Sequence, residues 1–294
     1  MFFDVIKFYK KNENIKLANN SLTLGEYLNK EKLSKEFIDY HIIPMVAAIW
    51  SMPPYEASLM PLSFFLKFFQ NHGLFKLKNR PQWYTVSNRS RTYINNILNK
   101  ISGEHYKNYK INLIKRHKEN IEIFYGEKNE FFSYDKVVIA THADEALSIL
   151  ENPTEDEKTL LSNFKYKSNL AVIHTDSNQM PRNKKAWSAW NAKLNKNVRE
   201  NSSVTYWLNL LQNLKIDEDI FLSINPFDRI DEQKILNKVT FTHPYYDKLA
   251  LENQTELKKI QNVNNTLFCG SYFGYGFHED GITSSIDMLK SIND

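Results

Sequence analysis

A chain of 294 residues with 42% hydrophobic and 24% charged side chains is long enough to bury a large core in two structural lobes and has the composition of a globular protein. Its 38 basic and 34 acidic residues leave a formal charge of +4, but only seven of the basic residues are arginine and the lysines are scattered, which argues against a nucleic-acid stripe and allows only weak peripheral contact with anionic lipid. One cysteine, Cys269, excludes an internal disulfide, no apolar run reaches membrane-span length, and Asp4 and Lys7 interrupt any signal-peptide core, so a cytoplasmic location is expected.

Residues 1–80 read as helical. Thr23 with Glu26 three positions on makes a capping box, and a further helix begins near Ser34. From His41 to Phe69 the chain is rich in large apolar groups, among them Trp50, with Pro53 and Pro54 stopping one helix and Pro61 opening another. This pattern fits a helical lobe packed on its own core; it also fits the lining of a cavity for a greasy substrate.

From Trp83 the texture changes. Residues 87–98 suit a helix, and β-type runs follow at 110–115, 121–125 and 131–134, with Gly126 and Asn129 turning between the last two. The run from Lys136 to Ala140 has the continuous apolar character of a strand buried on both faces. Thr141, His142 and Ala143 then lead to Asp144 as N-cap of a helix, an α/β unit of the kind that holds cofactors at its carboxyl strand ends. Between 155 and 245, strand candidates at 169–174, 186–190, 204–208, 220–224 and 238–242, with turns at 178–181, 195–197 and 217–219, predict an antiparallel sheet carrying Trp187, Trp190, Tyr206 and Trp207.

The stretch from Thr266 to Met288 holds four of the eight glycines, Gly270, Gly274, Gly276 and Gly281, between a short apolar strand and a helix marked by Ile282, Ile286 and Leu289. Glycine clustered in a glycine-poor chain marks close approach of main chain to a ligand or an ordinary strand-to-helix connection. Aromatic residues interleave it at Tyr272, Phe273, Tyr275 and Phe277, and Asp280 is the expected N-cap, with the first-turn amides facing an electron-rich oxygen. No Gly-x-Ser-x-Gly elbow occurs and the eight histidines stand apart, so neither a serine hydrolase of that type nor a metal site is expected. His278, beside the loop, is the histidine to single out.

These segments together resemble the FAD-dependent amine-oxidase superfamily, and within it the flavoproteins found beside or fused to cyclopropane-fatty-acyl synthases. The resemblance is carried by DKVVIATHADEAL at 135–147, AVIHTDSNQMPRNKKAWSAWN at 171–191 and FCGSYFGYGFHEDG at 268–281, with weaker stretches over most of the chain. It implies an α/β (mixed α+β) fold: an incomplete FAD-binding Rossmann-like domain from residues 83–152 and 246–294, and a substrate domain from a helical part, 1–82, and an antiparallel sheet, 153–245. It implies FAD at Ala140, Thr141, Gly270, Ser271, Gly274, Tyr275, Gly276, Asp280, Gly281 and Ile282, with the helix amides at Gly281 facing the ring. The substrate pocket would use Trp50, His72, Trp187, Trp190, Tyr206 and Trp207, and His278, Tyr272 and Asn169 are catalytic candidates.

Three departures follow. The family's Gly-x-Gly-x-x-Gly turn is absent from these residues; Asn88 and Arg89 stand where the family has a glycine pair; and Asn169 stands where many amine oxidases have a lysine, against amine oxidation with oxygen. The implied activity is hydride transfer from a hydrophobic, lipid-like substrate to flavin. The alternative is a catalytically silent remnant, or a substrate-lobe subunit that needs a separate nucleotide-binding chain.

Overall fold

The computed structural model describes residues 1–15, 22–127, 130–194 and 202–292. Among them run strands β1 (Ile111–Arg116), β2 (Ile121–Tyr125), β3 (Glu130–Tyr134), β4 (Val137–Ile139), β5 (Lys165–His174), β6 (Trp190–Leu194), β7 (Ser202–Trp207), β8 (Phe221–Ile224), β9 (Ile235–Tyr245) and β10 (Thr266–Phe268). They form three sheets, ordered β1-β2-β3, β10-β4 and β6-β7-β8-β5-β9, in the mixed helix-and-sheet fold expected. The chain divides into two compact units, the first Met1–Ile101 with Lys167–His243, the second Ser102–Tyr166 with Pro244–Asp294.

The first unit starts with helices. Thr23 accepts from the Glu26 amide (3.2 Å) while the Glu26 carboxylate accepts from the Thr23 amide (2.8 Å), which completes the predicted capping box of Leu24–Lys30. Ser34 caps the next helix on the Phe37 amide. The helix Ile43–Trp50 ends where Ser51 turns left-handed (φ 52°), ahead of Pro53, and Pro54 opens the following helix Pro54–Leu59. Phe8, Phe37, Phe65, Phe69 and Phe75 interlock beneath these helices, with Phe65 and Phe69 centroids 4.2 Å apart; each buried ring contributes about 1.5–3 kcal/mol.

The five-stranded sheet is antiparallel at β6–β7, β7–β8 and β8–β5, with Ile224 opposite both Val204 and Ala171. Several boundaries differ from expectation: β5 starts earlier, at Lys165, and β9 extends beyond both expected ends, Ile235–Tyr245. The segment expected as strand 186–190 makes a 3-10 turn at Lys184–Ala186 because the Asn183 side chain accepts from the Lys185 amide (3.0 Å), and β6 starts only at Trp190. The helix expected at 87–98 starts at Arg91, because Asn88 and Arg89 take positive φ (60° and 68°), which no helix accepts. The turn expected at 195–197 lies outside the described residues.

In the second unit β1, β2 and β3 form an antiparallel meander, with Gly126 at φ +66° in the hairpin; Asn129 lies outside the described residues. β4 and β10 pair in parallel, Val137 with Thr266 and Ile139 with Phe268. Ile121, Ile139, Ala146, Leu161, Phe164 and Phe268 share one core. β4 is not buried on both faces as its sequence suggests: Val137 and Ile139 are buried, but Val138 between them is 46% exposed, since side chains alternate and the second face is covered at its partner Leu267, packed with Cys269 and Met288, but not at Val138. His142, not Asp144, is the N-cap of the helix Ala143–Ile149, its amide held by the Glu145 carboxylate (3.4 Å).

Candidate functional site

In the second unit the parallel pairing sets the strand ends side by side: the Cys269 amide donates to the Ile139 carbonyl (3.2 Å), so Ala140 and Thr141 emerge next to Gly270 and Ser271. A Cβ at Gly270 would lie 3.6 Å from the Thr141 carbonyl. The chain then makes a 3-10 turn at Ser271–Phe273 and enters the helix His278–Lys290. The Ser284 hydroxyl accepts from the Gly270 amide (2.9 Å) and donates to the Gly281 carbonyl (2.7 Å), tying turn to helix.

The reasons for the glycines become specific. A Cβ on Gly274 would collide with the Asp280 carboxylate, and one on Gly276, whose φ is +95°, would come within 2.9 Å of the Tyr246 hydroxyl. Both are therefore demanded by side chains of this unit. At Gly281 nothing lies closer than 3.9 Å to a Cβ, so that position is open.

Asp280 is not the N-cap. Phe277 holds that position, and Asp280 at the third helical residue reaches back to accept from the Phe277 amide (2.9 Å). The Gly281 amide is also engaged, on the Phe277 carbonyl (3.2 Å), and is not one of the amides open to a ligand. A carboxylate thus already sits on the positive end of this helix, which weakens its pull on a second anion. Burial and then the Asp280 charge push the half-buried Tyr275 phenol up to about 12, so it stays a neutral donor at physiological pH. Tyr272 is 2% exposed, packed on Phe164 (5.1 Å) and Phe273 (4.8 Å), and belongs to the core rather than to an accessible site. His278 and Ile282 are exposed in the first two turns of the helix.

The expected pocket residues lie in the first unit. Trp50 is buried against Phe68 (4.7 Å) and Phe64 (5.6 Å). His72 stacks on Phe68 (4.0 Å), and its Nδ1–H donates to the Phe68 carbonyl (2.8 Å). Trp187 stands edge-on to Trp207 (5.3 Å) and donates to the Pro181 carbonyl (2.7 Å), while Trp207 donates to the Asp219 carboxylate (2.9 Å). Trp190 packs on Tyr206 (5.3 Å), whose phenol burial pushes up to about 12. Asn169 is 2% exposed and fully committed: it donates to the Lys167 carbonyl (3.1 Å) and lies 3.0 Å from His243 Nδ1, and it accepts from Asn225 (2.6 Å). An amide held on three sides acts as a strut of the sheet.

Sequence reading missed three contributors. Lys184 lies over the Trp187 ring (4.9 Å) and pairs with Asp219 (3.0 Å). Gln254 clamps the glycine turn by donating to the carbonyls of Tyr272 (2.9 Å) and Gly274 (2.6 Å). A lysine three residues before a tryptophan was the one available signal; for Asp219 and Gln254 there was none. Among the described residues no three His, Cys, Asp or Glu side chains group to hold a metal, and no helix is long and apolar enough to cross a membrane.

No family model and no curated protein matches the sequence. Solved structures do match its fold. A CLA-producing fatty acid isomerase from P. acnes superposes with a TM-score of 0.65 at 12% identity, over 98% of this chain and 73% of that one. Cyclohexylamine oxidase from Brevibacterium oxydans gives 0.63 at 11% identity over 100% and 75%, and putrescine oxidase bound to putrescine gives 0.67 at 8% over 100% and 76%. At such identities the likeness is one of fold.

Proposed function

We propose that this chain provides the substrate lobe and part of the cofactor lobe of an FAD-dependent oxidoreductase of the amine-oxidase type. The observation that carries this reading is the parallel β4–β10 pair, whose carboxyl ends bring Ala140 and Thr141 beside Gly270 and Ser271 at the entry to a helix, the position at which α/β sheets bind cofactors. The shared fold with two amine oxidases and a fatty acid isomerase supports it. In this reading residues 83–152 and 246–294 face the cofactor, and residues 1–82 and 153–245 face the substrate.

Bound flavin would supply the hydride acceptor. The residues that fit around it are Ala140, Thr141, Gly270 and Ser271 at the strand ends, the open flank at Gly281, and Tyr275 as a neutral hydrogen-bond donor. Asp280, occupied with Phe277 and packed on Gly274, shapes the turn rather than touching the cofactor. A hydrophobic, lipid-like substrate is favoured over a small amine. The committed Asn169 amide leaves no side chain at that position to serve amine chemistry, and Lys184 already occupies the cation position on Trp187.

A partner reading has its own support. Val138 (46%), Ile282 (46%), Ile286 (56%) and Leu289 (53%) expose apolar surface on β4 and on the C-terminal helix, and a two-stranded parallel sheet is short of the cover such sheets require. These residues carry no Gly-x-Gly-x-x-Gly turn. A nucleotide-binding segment or chain supplying that turn would cover this surface and hold the pyrophosphate. The test is an absorbance scan of the purified 294-residue chain, with and without such a segment. Little flavin alone and a stoichiometric oxidised-flavin band after addition are expected; no band in either case would defeat the proposal, and a full band alone would defeat the partner reading.

A further inference from the structure

A cleft of about 280 Å³ opens within the second unit, along the side of the helix His278–Lys290 opposite to Ile282, Ile286 and Leu289. Its volume is near the lower end of small-molecule sites, which run from roughly 300 Å³ upward. Some of its polar lining is spoken for: the Gln254 and Gln261 amides hold the backbone of residues 268–274, and Ser284 bridges Gly270 and Gly281. Other groups are not. The Thr283 and Ser291 hydroxyls and the Asp280 oxygen turned to Gly274 make no hydrogen bond to another described residue, and all three residues line the cleft. Phe273 and Met288 add an apolar patch.

This lining selects a ligand class by elimination. With Asp287 paired to Lys290 (2.6 Å), Asp280 and Lys258 leave the lining without a net charge to favour a phosphate or carboxylate. A wholly apolar molecule would strip water from three polar groups without replacing their hydrogen bonds, at about 1–3 kcal/mol each. No three His, Cys, Asp or Glu side chains group to hold a metal ion among the described residues. A strong cation site is disfavoured because Lys258 lines the same cleft and Asp287 is paired with Lys290 (2.6 Å). We infer that the cleft binds a neutral, polyhydroxylated small molecule of monosaccharide size, its hydroxyls on Asp280, Thr283 and Ser291 and its C–H face on Phe273.

Occupancy would be felt by the glycine turn. Gln254, which lines the cleft, holds the carbonyls of Tyr272 and Gly274, and Asp280 holds the Phe277 amide, so the cleft and the turn share walls. Binding itself does not depend on the flavin reading and is measured without flavin, so the two proposals fail separately.

The experiment is calorimetric titration of the 294-residue chain with D-glucose, D-ribose and myo-inositol, alongside the variants Thr283→Val and Ser291→Ala. One-to-one saturable binding of at least one probe is expected, at least tenfold weaker in Thr283→Val, with the variant's melting temperature near that of the parent. Trimethylamine N-oxide at equal osmolality, which acts through solvent exclusion alone, should give no saturable heat. If none of the three probes saturates, or if both variants bind as the parent does, the inference is wrong.

Discussion

The Asp280 carboxylate fills the space that a Cβ on Gly274 would need, so the glycine turn and the first turn of the C-terminal helix form one packed unit. Gly274→Ala must push that carboxylate away and release the Phe277 amide, at a cost of about 1–3 kcal/mol. Gly281→Ala, with its Cβ in open space inside a helix, should instead stabilise by about 0.5–1 kcal/mol. Paired denaturant titrations check this, and equal effects would show that the two positions are not distinguished by packing. Gly276→Val should destabilise the fold, because the positive φ and the nearby Tyr246 hydroxyl oppose a branched side chain.

Asn88 and Arg89 occupy the left-handed region, with φ of 60° and 68°. Asparagine tolerates that region, but an arginine there is held at a cost of roughly 1–2 kcal/mol. Arg89→Gly should raise stability by about 0.5–1 kcal/mol, the relief being partly offset by a more mobile unfolded chain. A thermal melt decides the sign; a loss of stability would mean that the guanidinium makes contacts worth more than the strain.

Much of the fold was legible because local chemistry and packing agreed. Thr23 and Glu26 form their box, Ser34 caps its helix, and the β-type runs at 110–134 pair as an antiparallel meander with one register shift at Ile111–Leu113. What was not legible depends on contacts distant in sequence. Nothing in Val137–Ile139 says that Val138 faces outward, because an apolar triplet reads alike with one face covered or two. Neither Asp144 nor Asp280 is the cap: Glu145 reaches back to the His142 amide and Asp280 to the Phe277 amide, so the helices start two and three residues earlier than expected. At the site, glycine density was visible, but its cause, the Asp280 and Tyr246 side chains, was not.

Stability should fall as the pH drops below neutrality, through His174. This side chain is fully buried in the first unit. The Asp176 amide donates to its Nδ1 (3.1 Å), which puts the proton on Nε2, donated to Ser223 Oγ (2.8 Å), with Thr205 Oγ1 2.8 Å beyond. Burial lowers its pKa from the ordinary 6.5, partly opposed by the Asp176 carboxylate, itself 3.8 Å from Lys234. Since the folded pKa lies below the unfolded one, the contribution is complete above about 6.5 and is lost as pH falls toward the folded value, by at most about 1.4 kcal/mol per unit. His41, also lowered chiefly by burial, adds a second such step. Urea titrations across pH 5–8 should show a shallower slope in His174→Gln than in the parent; identical slopes would remove His174 from the account.

Tyr272 is one of the three catalytic candidates, and its surroundings argue for a core role that can be measured. Its hydroxyl is buried with no hydrogen-bond partner among the described residues, and its ring lies between Phe164 and Phe273. Burial holds the phenol pKa well above 10, so the group neither ionises nor accepts a proton in the physiological range. Removing a buried hydroxyl that nothing satisfies takes away a desolvation penalty of about 1–3 kcal/mol while keeping the ring that fills the space. Tyr272→Phe should therefore melt at the same temperature as the parent or higher, and should leave flavin retention by the assembled protein unchanged. A lower melting temperature would mean that the hydroxyl has a partner in solution, and lost retention at unchanged stability would return Tyr272 to the cofactor site.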